Sequence, residues 1–358
     1  MFHHLRYLEN LDRLDVWPSR RIVVDRINPF KALSEEEFLC RYSLNKECAN
    51  NVIQQIQDAL AHEVDSRGCP VPPFLQVLIT LQYLGTGNHQ LAISDYSDVS
   101  QSYVSKCVVR VSRAIGNICH KHIKLPSHSE VNRIMEDFQL IAGMPSVIGC
   151  IGCTHIAINR PPGDQFELFR NRTGYFSMKV QAVCGPQQQF YSFVSGWYGS
   201  VHDSLIFDKS YLRQELEKNL QPGYLLGDCE YPCRRYLHTP VLNPCTPQER
   251  RYNASHCRTH STVKRAFGLL KRRFAFLEKR LQTDLNNTKM IIVAAAVLHN
   301  IAIKQNVPMP GETNDQICNE SQEDHHDGPS QIAKKTLESE QKNDVGAKER
   351  DYIIRNYF

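Results

Sequence analysis

The chain has 358 residues, 41% of them hydrophobic and 22% charged, with a formal net charge of +4. This is the balance of a globular protein with room for one large domain and a smaller one, and it excludes disordered and fibrous classes for the chain as a whole. No apolar run approaches the roughly 20 residues needed to cross a bilayer, so no membrane association is expected. The N-terminal MFHHLRYLEN lacks the apolar core and small-residue cleavage site of a secretory signal. Thirteen cysteines fall in no framework spacing, which favours a reducing compartment.

Residues 1–33 read as an irregular N-terminus with a basic patch at Arg20, Arg21 and Arg26. Ser34 and Glu37 then match a capping box, and Phe38 and Tyr42 follow at helical spacing. A second helix over 46–62 places Val52, Ile53, Ile56 and Leu60 on one face. Three helices are predicted over 73–84, 89–96 and 100–118, the first ended by the Gly85–Gly87 loop. Their order fits a helix-turn-helix whose third member reads DNA. The preferred alternative is a plain helical subdomain in which Val104, Val108, Val111 and Ile115 are core. Residues 34–140 are taken together as this helical region.

From residue 141 to 305 the texture is α/β. A buried strand is predicted over 146–151, with a polar turn at Gly152–Cys153–Thr154–His155. FSMKVQAVCG and FYSFVSGWYGS read as an antiparallel hairpin. A helix over 204–219 and the strand GYLLGD follow, then a long loop containing Pro232, Pro240, Pro244 and Pro247. A helix over 259–281 carries an apolar seam of Val263, Phe267, Leu270, Phe274 and Leu277. The last apolar helix, 288–304, starts at an Asn287/Thr288 cap. Residues 306–358 are polar and read as a disordered tail.

Two aspartates stand at telling places: Asp203 after an aromatic strand in YGSVHDSLIF, and Asp228 at the end of an apolar strand in YLLGDCEYP. These stretches occur in order with GMPSVIGCIGCTHIAI, NRTGYFSMKVQAVC, RYNASHCRTHSTVKRAFGLLKRRF and VLHNI. Over residues 34–304 the chain thereby resembles the PIF/Harbinger transposases and the nucleases derived from them. The resemblance implies a ribonuclease-H-like mixed sheet flanked by helices, behind a helical region. It also implies divalent-metal-dependent cleavage of DNA phosphodiesters with Mg²⁺ or Mn²⁺, a Myb/SANT-like DNA-binding protein as partner, and residence in the nucleus, with the cytoplasm as a second location.

Two-metal chemistry holds cations about 3.5–4 Å apart, and such cations need several anionic oxygen ligands. The resemblance implies four acid positions: an Asp on the first strand, an Asp in the GS-x-x-D turn, an Asp ending the LLGD strand, and a Glu on the late helix. Asp203 and Asp228 keep two of them, as catalytic and metal-ligating candidates. The first-strand position is Gly152 and the helix position is Lys264. Metal binding is therefore expected to be weak or absent, and cleavage lost or impaired. Asp164, Glu167 and Glu230 are nearby acids at none of the four positions.

Basic residues crowd the late helix: Arg258, Lys264, Arg265, Lys271, Arg272, Arg273, Lys279 and Arg280. A phosphate backbone is attracted to such a face. The DNA-binding candidates are Arg172, Lys264, Arg265, Lys271, Arg272 and Arg273, and DNA binding is expected to outlast catalysis. The alternatives are a non-catalytic nuclear adaptor for the Myb/SANT-like partner, an active nuclease using substitute ligands, and a merely solvated basic face. Cys150 and Cys153 form C-x-x-C without the second pair a zinc site wants. They read as buried thiols. His155 reads as a hydrogen-bonded structural imidazole at least as readily as a functional one.

Overall fold

The computed structural model describes residues 28–60, 63–64, 70–218, 222–311 and 345–358. Arg20, Arg21 and Arg26 lie outside the described residues. Within the stretch expected to be irregular, Asn28 caps a single helical turn, Pro29–Ala32, its side chain accepting from the Phe30 amide at 3.0 Å. Residues 34–358 form a separate unit.

That unit opens with α1 (Glu35–Tyr42), started by the expected box. The Glu37 amide donates to Ser34 Oγ, and the Ser34 amide donates back to Glu37. Helix α2 (Lys46–Ile56) runs into one 3₁₀ turn and buries Val52, Ile53 and Ile56. Helices α3 (Pro73–Thr86), α4 (Gln90–Ser97) and α5 (Gln101–Asn117) follow the predicted order. Val104, Val108, Val111 and Ile115 of α5 are all buried. Arg110 is held by Gln76 at 3.2 Å and Arg113 by Asn287 at 3.0 Å, so two basic groups on α5 serve internal contacts. Helix α6 (His128–Ala142) ends at Gly143, whose φ of 75° closes the helix in the left-handed region.

The α/β part comprises β1 (Val147–Ala157), β2 (Ser177–Cys184), β3 (Phe190–Tyr198), α7 (Asp203–Asp208), α8 (Tyr211–Lys218), β4 (Tyr224–Leu226), β5 (Leu237–His238), α9 (Pro247–Arg273) and α10 (Leu285–Lys304). The sheet order is β3-β2-β1-β4-β5. The first three strands are antiparallel neighbours, while β4 runs parallel to β1 and β5 parallel to β4. Helices α6 and α9 pack on β1, and α10 lies between β3 and α5. This is the ribonuclease-H-like mixed sheet flanked by helices. Contacts of α5 with α10 join the helical region to the sheet in one core.

Five expectations change, the smallest being that α10 starts at an Asp284 cap and not at Asn287/Thr288. The polar turn at 152–155 is absent, and β1 runs on to Ala157, because β2 supplies a ladder partner for every residue from Cys150 to Ala157. The late helix begins at Pro247 instead of 259. Thr246 and Glu249 form a capping box there, and Pro247 occupies the first turn, where its missing N–H is not needed. It also stops at Arg273, and a 3₁₀ turn, Ala275–Glu278, follows. The helix predicted over 204–219 is two helices, with Ser210 between them accepting from the Arg213 amide at 3.2 Å. Finally, the tail is not structureless at its end: Val345–Tyr357 forms α11 and buries Arg350, Ile353 and Ile354. Arg350 donates to the carbonyls of Thr239 and Pro240. At the tail's start Val307 and Met309 are buried, and 312–344 lie outside the described residues.

Candidate active site and basic ridge

Alternate residues of a strand face opposite sides of its sheet. On β1, Gly152 faces α9, where a Cβ added to it would stand 3.0 Å from Val263 Cγ1. Gly152 pairs with Ala182 of β2, another small residue beneath that helix. The α9 seam of Val263, Phe267 and Leu270 is buried as predicted, and Phe274 and Leu277 continue it past the helix end. Beside the seam, His260 Nε2 contacts the Ile151 carbonyl at 2.8 Å, and Cys150 donates to the Thr259 carbonyl. The strand carrying Gly152, the expected first acid position, is thus held against α9 by apolar packing and two hydrogen bonds.

The other face holds Asp203, with Asp228 at the end of the neighbouring strand. Cys153 and His155 lie across from Gln181 and Lys179 of β2. Gln181 donates to the Asp203 carbonyl at 3.1 Å and to the Tyr231 hydroxyl at 3.0 Å. Asp203 is not an N-cap: His202 precedes α7 as the capping residue and Asp203 is its first helical residue. Its carboxylate forms an ion pair with Lys179, and the two side chains are only 7% and 6% exposed. The Lys179 Nζ also donates to the Val201 carbonyl at 2.8 Å. Asp228, just past β4, accepts from the Glu230 amide at 2.9 Å. Glu230 in turn is paired with Arg172.

Asp203, Asp228 and Glu230 feel one another electrostatically. Burial raises the Asp203 carboxyl above the usual range; Lys179 opposes that rise, and the charges of Asp228 and Glu230 add to it. Burial likewise raises Asp228, while the Glu230 amide, Lys179 and Lys264 pull it down. His155 is lowered to about 4, first by burial and then by Lys179, Lys271 and Arg172. Its Nδ1 lies 2.8 Å from Ser177 Oγ, the geometry of a neutral, structural imidazole.

This donor set does not fit a pair of divalent cations. Gly152 offers no oxygen, Lys264 puts a cation near Asp228, and Asp203 already has Lys179. A dication about 4 Å from either ammonium would be repelled by about 8 kcal/mol at an effective dielectric of 20, twice the unit-charge value. Among the described residues, no group of three or more His, Cys, Asp or Glu side chains is arranged to hold a metal ion. Glu167 is an exposed partner of Arg170, and Asp164 is exposed as well, so neither supplies a ligand. Cys150 and Cys153 are free thiols.

The basic candidates separate into two groups. Lys264, Arg265 and Arg272 are exposed on α9, and Arg172 is exposed in the loop before β2. Arg273 is a correction: it is buried, and its guanidinium donates to the carbonyls of Ser43, Val307 and Pro308. Lys271 is a second correction. Its ammonium turns onto β1, donating to Thr154 Oγ1 at 3.0 Å and to the His155 carbonyl at 3.2 Å. The helical period turns adjacent basic residues to different sides, which a charge run alone does not reveal. One participant, Lys179, lay unremarked in the sequence. Lys179 sits inside the quoted hairpin motif, and its signal was a lysine in a strand otherwise fit for burial. Glu230 was visible only as a neighbour of Asp228.

Residues 151–300 match the family described as DDE superfamily endonuclease. The chain is 29% identical to a Bos taurus protein named "Putative nuclease HARBI1", covering 76% of this chain and 79% of the relative. It is 29% identical to the Homo sapiens protein of the same name, over 78% of this chain and 82% of the relative. It is also 28% identical to "Protein ALP1-like" of Arabidopsis thaliana, over 67% and 63% of the two chains. No solved structure matches. The site drawn above lies almost wholly within the matched residues, and the resemblance to Harbinger transposase-derived nucleases is carried by a DDE superfamily endonuclease domain at the centre of the chain and by similarity to these relatives over most of its length.

Proposed function

We propose that this chain holds DNA without cutting it. The observation that carries the reading is Gly152 under Val263: the central acid position has no carboxylate, and a Cβ there would already crowd a Val263 methyl at 3.0 Å. Lys264 and the Lys179–Asp203 pair weaken the remaining acids as cation ligands. Cleavage of phosphodiesters, the family reaction, has no supporting ligand set among the described residues, and Asp203 and Asp228 are what survives of it.

Support for DNA binding comes from the outer side of α9. Arg258, Arg265 and Arg272 are exposed and stand seven residues apart, which keeps them near one side of the helix. At 1.5 Å rise per residue they span about 21 Å. Lys264 lies beside this ridge, and at Gly268, in its middle, even an added Cβ would meet nothing within 4 Å. A basic ridge of that length faces solvent along one side of the helix, and a duplex offers it a dense line of phosphate charge. The revised DNA-contacting set is Arg172, Lys264, Arg265 and Arg272, joined by Arg258. Nuclear residence accompanies this reading.

The test is duplex binding by the purified chain across a salt series, with plasmid nicking in Mg²⁺ or Mn²⁺ alongside. The expected result is binding that weakens steeply with salt, and no nicking. Nicking that disappears in Asp228→Ala overturns the reading in favour of a nuclease with substitute ligands. Failure to bind naked duplex overturns it in favour of an adaptor for a Myb/SANT-like protein. A further arm uses Gly152→Asp with Lys264→Glu, which restores both acids.

A further inference from the structure

We infer that Lys179 is the resident cation of the surviving acid cluster, and that its ammonium occupies the place where a divalent ion would meet Asp203. The inference rests on the reading of the site as non-cleaving and names a third residue behind it, one that lies at none of the acid positions.

The geometry is specific. Lys179 lies on β2, an interior strand of the sheet, opposite His155 of β1. Its side chain points to the Asp203 face, where it is almost fully buried in an ion pair with Asp203. The Val201 carbonyl fixes the ammonium from the turn that leads into α7. Asp228 and Glu230 are close enough for Lys179 to lower both. One cation therefore pairs with Asp203 and adds its positive charge to the field at Asp228 and Glu230. A lysine so placed is held by the strand, whereas a metal ion would come and go with its concentration. Buried charges persist when paired and hydrogen-bonded, and a dication competing for Asp203 must either displace this ammonium or lie against it. The same lysine ties β2 to the Val201–Asp203 turn, so the acid is kept in place by the residue that keeps metal away.

The prediction is that removing the ammonium converts the cluster into a cation site. Mn²⁺ binding is followed by the loss of the free-ion electron paramagnetic resonance signal, and thermal unfolding is recorded with and without MnCl₂. Four proteins are compared: wild type, Lys179→Met, Lys179→Gln, and Lys179→Met with Asp203→Asn. The wild type is expected to show no Asp203-dependent Mn²⁺ binding and no shift in melting temperature. Lys179→Met and Lys179→Gln are expected to melt lower, to bind Mn²⁺ at least tenfold tighter than the wild type, and to regain melting temperature with it. The double variant is expected to melt above Lys179→Met and to gain nothing from Mn²⁺.

If the Met variant does not fold, the Gln variant, which keeps a polar head, carries the comparison. If neither folds even with MnCl₂ present, no ion replaces the ammonium, and the inference is overturned. It is equally overturned if the variants fold and gain no Mn²⁺ affinity, or if the wild type binds Mn²⁺ through Asp203 as tightly as they do. These failures are distinct from failure of the functional reading, which is sunk by nicking activity or by absent duplex binding of the wild type.

Discussion

Gly152 shows how one missing side chain spreads to its neighbours. Val263 Cγ1 stands 3.0 Å from where a Cβ would be, and a valine in a helix has one strongly preferred rotamer. Gly152→Asp is therefore expected to cost about 1–3 kcal/mol from overpacking alone. In a double-mutant cycle, Val263→Ala should relieve part of that cost in the Asp variant although it destabilises the wild type. Strictly additive melting shifts would show that the contact is not responsible. Arg272 and Arg273 make a second residue-scale contrast. Arg273→Ala leaves the carbonyls of Ser43, Val307 and Pro308 without their donor, at an expected cost of about 1.5–3 kcal/mol in denaturant unfolding. Arg272→Ala should stay within about 0.5 kcal/mol while lowering the salt slope of duplex binding by about 1.

At the scale of elements, α9 and α10 carry the sheet by different means. Helix α9 is aimed by its start. Its capping box joins Thr246 and Glu249 through reciprocal bonds of 3.2 and 2.8 Å, and Thr246→Ala should cost about 1 kcal/mol. Helix α10 grips β3 through Asn300, which accepts from the Phe190 amide at 2.8 Å and donates to its carbonyl at 2.7 Å. Asn300→Ala orphans both backbone groups, so a loss of about 1–3 kcal/mol is expected, with faster hydrogen exchange at the Phe190 amide as the specific readout. The α9 seam was legible because buried positions repeat with the helical period. Its first three turns were not, because PQERRYNASHCR is polar and follows three prolines, and only the capping box marks it as helix. β1 was cut short in the reading for a related reason. Gly152 and Thr154 look like turn residues until β2 is known to lie alongside.

The whole molecule has a pH signature. His155, His260 and His299 are lowered to about 4, and His238 and His256 to about 3, in each case first by burial. A depressed histidine contributes stability that is present above its unfolded value of about 6.5 and is lost as pH falls through the folded value. Asp203 and Asp228 act with the opposite sign. Raised acids contribute fully below about 4 and lose that contribution as pH rises through their folded values. Five histidines outnumber two acids, so the melting temperature should fall between pH 6.5 and 4. A melting temperature that holds or rises over that window would show that the histidines are hydrated and charged in the folded chain. Replacing His256, which is stacked on His260 inside α9, with Phe should flatten the acid side of the profile.

The amino-acid order alone determined the family resemblance, the strand and helix succession of the core, and the identity of Gly152 and Lys264 at the two positions where the resemblance implies acids. These are local facts, carried by motifs, by hydrophobic period and by residue identity. Tertiary structure decided what stands around those positions. It placed Val263 over Gly152, paired Lys179 with Asp203, brought Glu230 and Arg172 to the cluster, and turned Arg273 and Lys271 inward while leaving Arg258, Arg265 and Arg272 outside. Each of these outcomes joins residues from different elements. Which charge meets which acid depends on strand register and helix rotation, and neither is written in the spacing of a single segment.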